Sequence, residues 1–196
     1  MRQILCTALV ASALWLAPVG QAGAPSDSRS IDTARSKITL HVFKSGLFSA
    51  FAHNHEIEAP IESGEVSESG SLLAELRIDA RKLRVLDPEA SVDIRAKIQQ
   101  TMLGPQVLDT DRFPEIHFRS TAVEPKGTDH WLVRGDLDLH GQTRPLAMDV
   151  ELKDGVYRGT AILKQTSFGI KPVAIAGGTV NVKNEVRIEF QIVLVK

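Results

Sequence analysis

The sequence predicts an all-β domain of about seven or eight antiparallel strands with one helix, arranged as a barrel or a sandwich. Three observations carry this. Short segments alternate apolar and polar residues with period two, glycine-centred turns separate them, and a single stretch has helical spacing. Strands with one buried and one wet face are typical of antiparallel sheets.

In chain order, residues 37–43 (KITLHVF) put Ile38, Leu40 and Val42 on one face. In 71–79 (SLLAELRID), Leu72, Ala74, Leu76 and Ile78 share a face, with Glu75 and Arg77 opposite. Residues 88–102 (PEASVDIRAKIQQTM) break the alternation. Val92, Ile94 or Arg95, Ile98 and Met102 recur at helical intervals, and acidic Asp87 and Glu89 lead in, as suits a helix N-terminus. This helix is expected to pack on or across the sheet. Next, Trp131, Val133, Leu137 and Leu139 align in WLVRGDLDL, with Arg134, Asp136 and Asp138 on the other side. Leu146, Met148, Val150 and Leu152 alternate with Asp149 and Glu151. Val186, Ile188, Phe190, Ile192 and Leu194 alternate with Arg187, Glu189 and Gln191. Turns are expected at Glu62-Ser63-Gly64, Pro125-Lys126-Gly127, His140-Gly141-Gln142 and Asp154-Gly155, the last being the strongest hairpin signal.

The chain opens with a leader. Arg2 precedes an uncharged, mostly apolar run over residues 4–17, which Pro18 and Gly20 end. Residues 1–22 thus read as a secretory signal peptide cut after Ala22, because a cut after Ala24 would put Pro25 on the prime side. The run is short of the roughly 20 residues that span a bilayer. Cys6 lies within the apolar run, so a lipid-anchored cysteine is not expected. Cleavage would remove the only cysteine and, with Arg2, take the 23 basic residues to 22 against 24 acidic ones, a net charge near −2. No disulfide or thiolate chemistry then remains, and no basic run suggests a nucleic-acid partner. Residues 23–30 read as a polar, flexible segment and 31–196 as one domain, with no second stretch able to span a membrane. A barrel of eight strands can hold one small ligand, whereas a sandwich core is packed solid. Alternation alone does not choose between them.

Four stretches in order resemble the YceI family of bacterial periplasmic proteins. They are IDTARSKITLHVF near the N-terminus, MLGPQVLDTDRFPEIHFRST in the middle, VRGDLDLHGQTRPLAMDV after it, and FGI (residues 168–170) followed by EVRIEFQIVL. The likeness covers roughly residues 31–195. It implies an extended, lipocalin-like antiparallel eight-stranded β-barrel with one α-helix, located in the periplasm. It further implies a bound polyisoprenoid or isoprenoid quinone, with no other cofactor. Two places depart from the family: KIQQTML stands where many members carry an Arg-Asp pair and a His, and FSAFAHNHEIEAP replaces a glycine- and phenylalanine-rich turn.

On this reading the tunnel lining or mouth is expected to include Leu40, Val42, Phe51, His53, His55, Leu76, Trp131, Leu137, Phe168, Ile188 and Phe190. For Trp131, Phe168 and Phe190 an ordinary core role is the competing interpretation. His53-Asn54-His55 is the one constellation that could carry chemistry, since a strand there puts both imidazoles on one face with Phe51 and Ile57. They could meet a ligand head group or, with His41 as a third donor, a transition metal. His117 is expected on a solvated face, His140 as a cap on the Gly141 turn, and His130 in a loop. Gly-x-Ser-x-Gly is absent, and the pairs Glu56/Glu58 and Asp136/Asp138 lie on polar faces, so no catalytic residue is assigned and no enzyme is expected. Two alternatives stay open: a metal- or haem-associated redox protein using His41, His53 and His55, and a packed-barrel stress-response interaction module. The sequence leaves the oligomeric state open, a dimer included.

Overall fold

The structure is a computed structural model that describes residues 28–45, 54–67, 73–175 and 180–195. The leader, residues 23–27, Phe51, His53 and residues 68–72 lie outside them. The strands are β1 (Ser28–Ser30), β2 (Lys37–Ser45), β3 (His55–Glu58), β4 (Ser63–Ser67), β5 (Leu73–Asp79), β6 (Arg84–Val85), β7 (Glu115–Gly127), β8 (His130–Leu139), β9 (Gln142–Lys153), β10 (Val156–Lys164), β11 (Ala174–Ile175) and β12 (Val180–Val193). One α-helix among the described residues, α1 (Val92–Leu103), falls between β6 and β7.

Strands β7 to β10 form an up-and-down meander. Its tight turns carry left-handed residue pairs, His140-Gly141 with φ of 52° and 69° and Asp154-Gly155 with φ of 53° and 74°. Two successive positive φ values give the turn twist that matches the right-handed twist of paired strands. The ladder continues from β10 through β12 and β2 to β3. Residues 55–67 then act as one bent strand. The first half pairs with β2, placing Leu40 against Ile57, and the second half pairs with β5, placing Gly64 against Leu76. Ala59 N–H donates to Ile38 and Glu62 N–H to Arg77, so the main chain stays paired through the corner. The curled sheet thereby returns on itself with eight wall positions among the described residues: β2, β3/β4, β5, β7, β8, β9, β10 and β12.

Two short strands occupy the gaps left at the bend. Strand β6 pairs with the free edge of β3, and β1 pairs with the free edge of β4. Residues 28–30, expected as the end of a flexible segment, are thus a strand. Their backbone meets an otherwise unpaired edge, and Ile31 bridges on to Leu194 of the C-terminal segment.

The helix corrects a detail of the sequence pattern. Ser91 caps it, its hydroxyl accepting from Ile94 N–H, and the buried side is Ile98, Met102 and Leu103. Val92 and Ile94 are 72% and 53% exposed, because the apolar contacts of the helix come from its C-terminal half, while Arg95 donates to the Leu86 carbonyl. Docking is polar as well as apolar. The Gln99 amide donates to the Leu83 carbonyl and accepts from Val85 N–H, at 2.7 and 2.8 Å, as a neighbouring strand would. Asp87, expected to favour the helix N-terminus, is instead buried beneath β3.

Asp79 holds the corner where β5 leaves the sheet. Its carboxylate accepts from the Arg81 side chain at 2.8 and 2.9 Å and from Arg81 N–H, with Lys82 3.6 Å away. The Arg81 hydrogen bonds, chiefly, hold its pKa down at about 2 against the opposing effect of burial. A depressed carboxylate stabilises the fold above the ordinary carboxylate range and loses that contribution as pH falls towards 2. In Asp79→Asn, the stability deficit relative to wild type should be largest above about pH 4 and shrink between pH 4 and 2. Urea unfolding across pH 2–7 measures it.

Candidate functional site

Alternation along the wall strands sends one apolar set inward, and these side chains do not fill the barrel. The core divides into one cluster around Ile38, Ile57, Ile78, Leu83 and Met102 and another around Phe118, Leu137, Leu146, Ala161 and Phe168. Between them lies a cavity of about 300 Å³. Strand register places Trp131, Val150 and Tyr157 at one end, with the Trp131 and Tyr157 rings 6.1 Å apart. At the other end Leu163, Val186, Val42 and His55 follow one another across β10, β12, β2 and β3. Two glycines make room for rings along the wall. A side chain at Gly159 would meet the Phe190 ring at 2.4 Å, and one at Gly135 would meet Phe118 at 2.5 Å.

Of the expected lining residues, Leu40, Val42, Leu76, Trp131, Leu137, Ile188 and Phe190 line this cavity. Phe51 and His53 fall outside the described residues. Phe168 does not line the cavity. It is 2% exposed within the second cluster, where the 3-10 turn Gln165–Phe168 drives it inward. Gly169 ends that turn at φ 74°, and His140 Nδ1 donates to the Phe168 carbonyl at 2.9 Å. His55 is not among the residues that line the cavity; it lies beside Val42 in register, and its Nδ1 donates to the buried Asp87 carboxylate at 2.7 Å. Asp87 also accepts from Glu56 N–H at 2.8 Å. This pair joins β3 to the segment leading into α1, which sequence separation hid.

His41 is placed otherwise than the metal reading requires. The register puts it opposite Glu56 and Arg187, on the outer face, whereas His55 shares the inward face with Ile57. The two imidazoles therefore do not converge on one ion. His41 Nε2 lies 3.5 Å from Glu189, in a shallow polar depression with Lys37, Arg158 and Arg187. His117, expected to be solvated, is half-enclosed on the outer face, 2.9 Å from Glu75 and 3.5 Å from Asp138. Its hydrogen bond, with that of Arg77, lowers the Glu75 pKa. His130 opens β8 rather than lying in a loop.

Several cavity residues carry no motif and were not singled out from the sequence, among them Met148, Tyr157 and Gln165. For Met148 the strand parity was a sufficient signal. Gln165 had none beyond its place just before the Phe-Gly-Ile stretch.

The fold and the cavity together define a class: a curled antiparallel barrel that encloses an apolar hollow and carries most of its charges outside. Within that class the chain belongs to the family of the YceI-like domain, whose signature matches residues 30–194. Curated relatives are named UPF0312 proteins. One from Pseudomonas savastanoi pv. phaseolicola is 43% identical over 74 residues, covering 33% of this chain and 38% of that protein. One from Shewanella baltica is 35% identical over 103 residues, covering 47% and 54%. The match thus spans between about two-fifths and just over half of those relatives' own length. Among solved structures, Burkholderia cenocepacia BcnA superposes with a TM-score of 0.62 at 18% identity, covering 85% of this chain and 99% of that one. A polyisoprenoid-binding domain from Saccharophagus degradans superposes with a TM-score of 0.52 at 17% identity, covering 85% and 96%. These likenesses establish the shared fold.

Asp87→Ala would leave His55 Nδ1 and Glu56 N–H without their buried acceptor. The expected loss is about 2 kcal/mol of stability, with Asp87→Asn costing less, read by chemical denaturation.

Proposed function

We propose that this protein binds, without covalent chemistry, a polyisoprenoid or isoprenoid-quinone lipid in the barrel cavity, and carries or sequesters it. The observation that supports this most is the almost wholly apolar lining, contributed by the facing walls of one curled sheet. Burying a prenyl chain there gains roughly 0.8 kcal/mol per methylene, offset in part by ordering the chain. Such affinity needs no catalytic group, and the reading is of a binding protein rather than an enzyme. The description of the Saccharophagus degradans domain as polyisoprenoid-binding supports the same ligand class.

Export to the periplasm fits this reading. The leader over residues 1–22 has the features of a cleaved signal, and a lipid crossing water between membranes needs a soluble shield. On this reading His55, steadied by Asp87 beside Val42, meets a polar ligand group at the β2/β3 end.

Organic-solvent extraction of the purified protein, followed by mass spectrometry, should release an isoprenoid lipid. An empty extract, together with failure of delipidated protein to take up a prenol or quinone, would sink the proposal. Met148→Trp, which projects a large ring into the cavity, should weaken uptake at least about tenfold while circular dichroism stays β-rich. Equal uptake by this variant would place the ligand elsewhere.

A further inference from the structure

The cavity wall carries one buried amide that the proposed lipid-binding role does not by itself require. Gln165 is 8% exposed and lines the hollow at the end of β10. Its two polar atoms have different fates. Nε2 donates to the Lys183 carbonyl at 2.8 Å, and because a carbonyl only accepts, this bond fixes which way round the amide lies. Among the described residues nothing donates to Oε1.

The amide is held still. Its turn is gripped by Asn184, which accepts from Thr166 N–H and donates to the Thr166 hydroxyl, both at 2.9 Å. Arg144 donates to the Ser167 carbonyl at 3.0 Å, and His140 to that of Phe168 at 2.9 Å. Gly169 N–H closes the turn onto the Gln165 carbonyl. The other polar residues of the wall are otherwise engaged. Glu75 is tied to His117 and Arg77, while Ser67 and Tyr157 have partners of their own.

We infer that Gln165 Oε1 is a hydrogen-bond acceptor for the ligand, so that the cavity selects apolar chains bearing a neutral hydroxyl donor at the β10/β12 end. A prenol or the hydroxyl of a quinol satisfies this acceptor. An ether or the carbonyl of a quinone, which only accept, would desolvate it without pairing it. A buried group left unpaired in this way is a strong source of discrimination between otherwise equal ligands. The acceptor is already ordered before binding, so little further ordering is lost when the bond forms. This inference rests on the apolar-ligand reading and sharpens it.

The test compares geranylgeraniol with its methyl ether on delipidated full-length protein, by competition against an apolar fluorophore. Wild type should prefer the alcohol by about fivefold, corresponding to roughly 1 kcal/mol. Gln165→Leu should abolish the preference by binding the ether at least as tightly as wild type does, which also shows that the variant's cavity is intact. If Gln165→Leu unfolds, Gln165→Met serves in its place, since a thioether is a weak acceptor of similar length. Equal binding of alcohol and ether by wild type, or a preference that survives both substitutions, would overturn the assignment of Gln165 and leave the lipid reading standing. Failure of wild type to bind either molecule would overturn both.

Discussion

The closing of the sheet at residues 55–67 is the constraint on which the rest of the molecule depends. A curled sheet with two open edges leaves rows of backbone donors and acceptors to be satisfied by water or by another chain. Here one bent strand is shared between two neighbours, β2 along its first half and β5 along its second. Closing the wall this way removes most of the open edge and forces a complete set of side chains into a common interior. Strands β1 and β6 cover what the bend leaves unpaired. The hollow follows from that geometry, since inward leucines, isoleucines and valines of ordinary size do not fill the space between two clusters.

The opposite side of the molecule's logic is a clamp at one barrel end. Phe113 packs against the His140 ring, with centroids 4.7 Å apart, and lies close under Gly141. His140 reaches across to the turn that buries Phe168, and Pro114 accepts from Ala80 N–H at the β5 corner. The Phe-Pro, His-Gly and Phe-Gly-Ile stretches, far apart in the chain, thus meet as one structural unit. Their shared task is to fix where strands end, and the position of Gln165 is a by-product of that fixing.

Charge is kept on the outside, where it contributes little to stability. The pairs Arg84–Glu58, Arg187–Glu189 and Arg134–Glu124 are exposed, and such contacts are each worth less than about 1 kcal/mol. The buried polar contacts are fewer and matter more. Asp79 pins a corner, Asp87 joins β3 to the approach of α1, and Gln99 replaces a strand partner for the segment at β6. Each satisfies backbone groups that would otherwise be left dry and unpaired.

What the sequence determined by itself was periodicity and punctuation. Alternation placed Leu40, Val42, Leu76, Trp131, Leu137, Ile188 and Phe190 on the inward face, because side-chain direction in a strand depends only on parity. Asp154-Gly155 and His140-Gly141 marked their turns, because few residues accept a positive φ. Tertiary structure decided whatever depends on register and distance. It set His41 on the face opposite His55, turned Asp87 from a helix-leading acid into a buried acceptor, and moved Phe168 from the lining into the core. It also left Val92 and Ile94 in solvent, since helical spacing says which residues share a face but not how much of the helix meets the barrel. Gln165 shows the same dependence: nothing in the chain marks it until Lys183, eighteen residues later, takes one end of its amide, the other having no donor among the described residues.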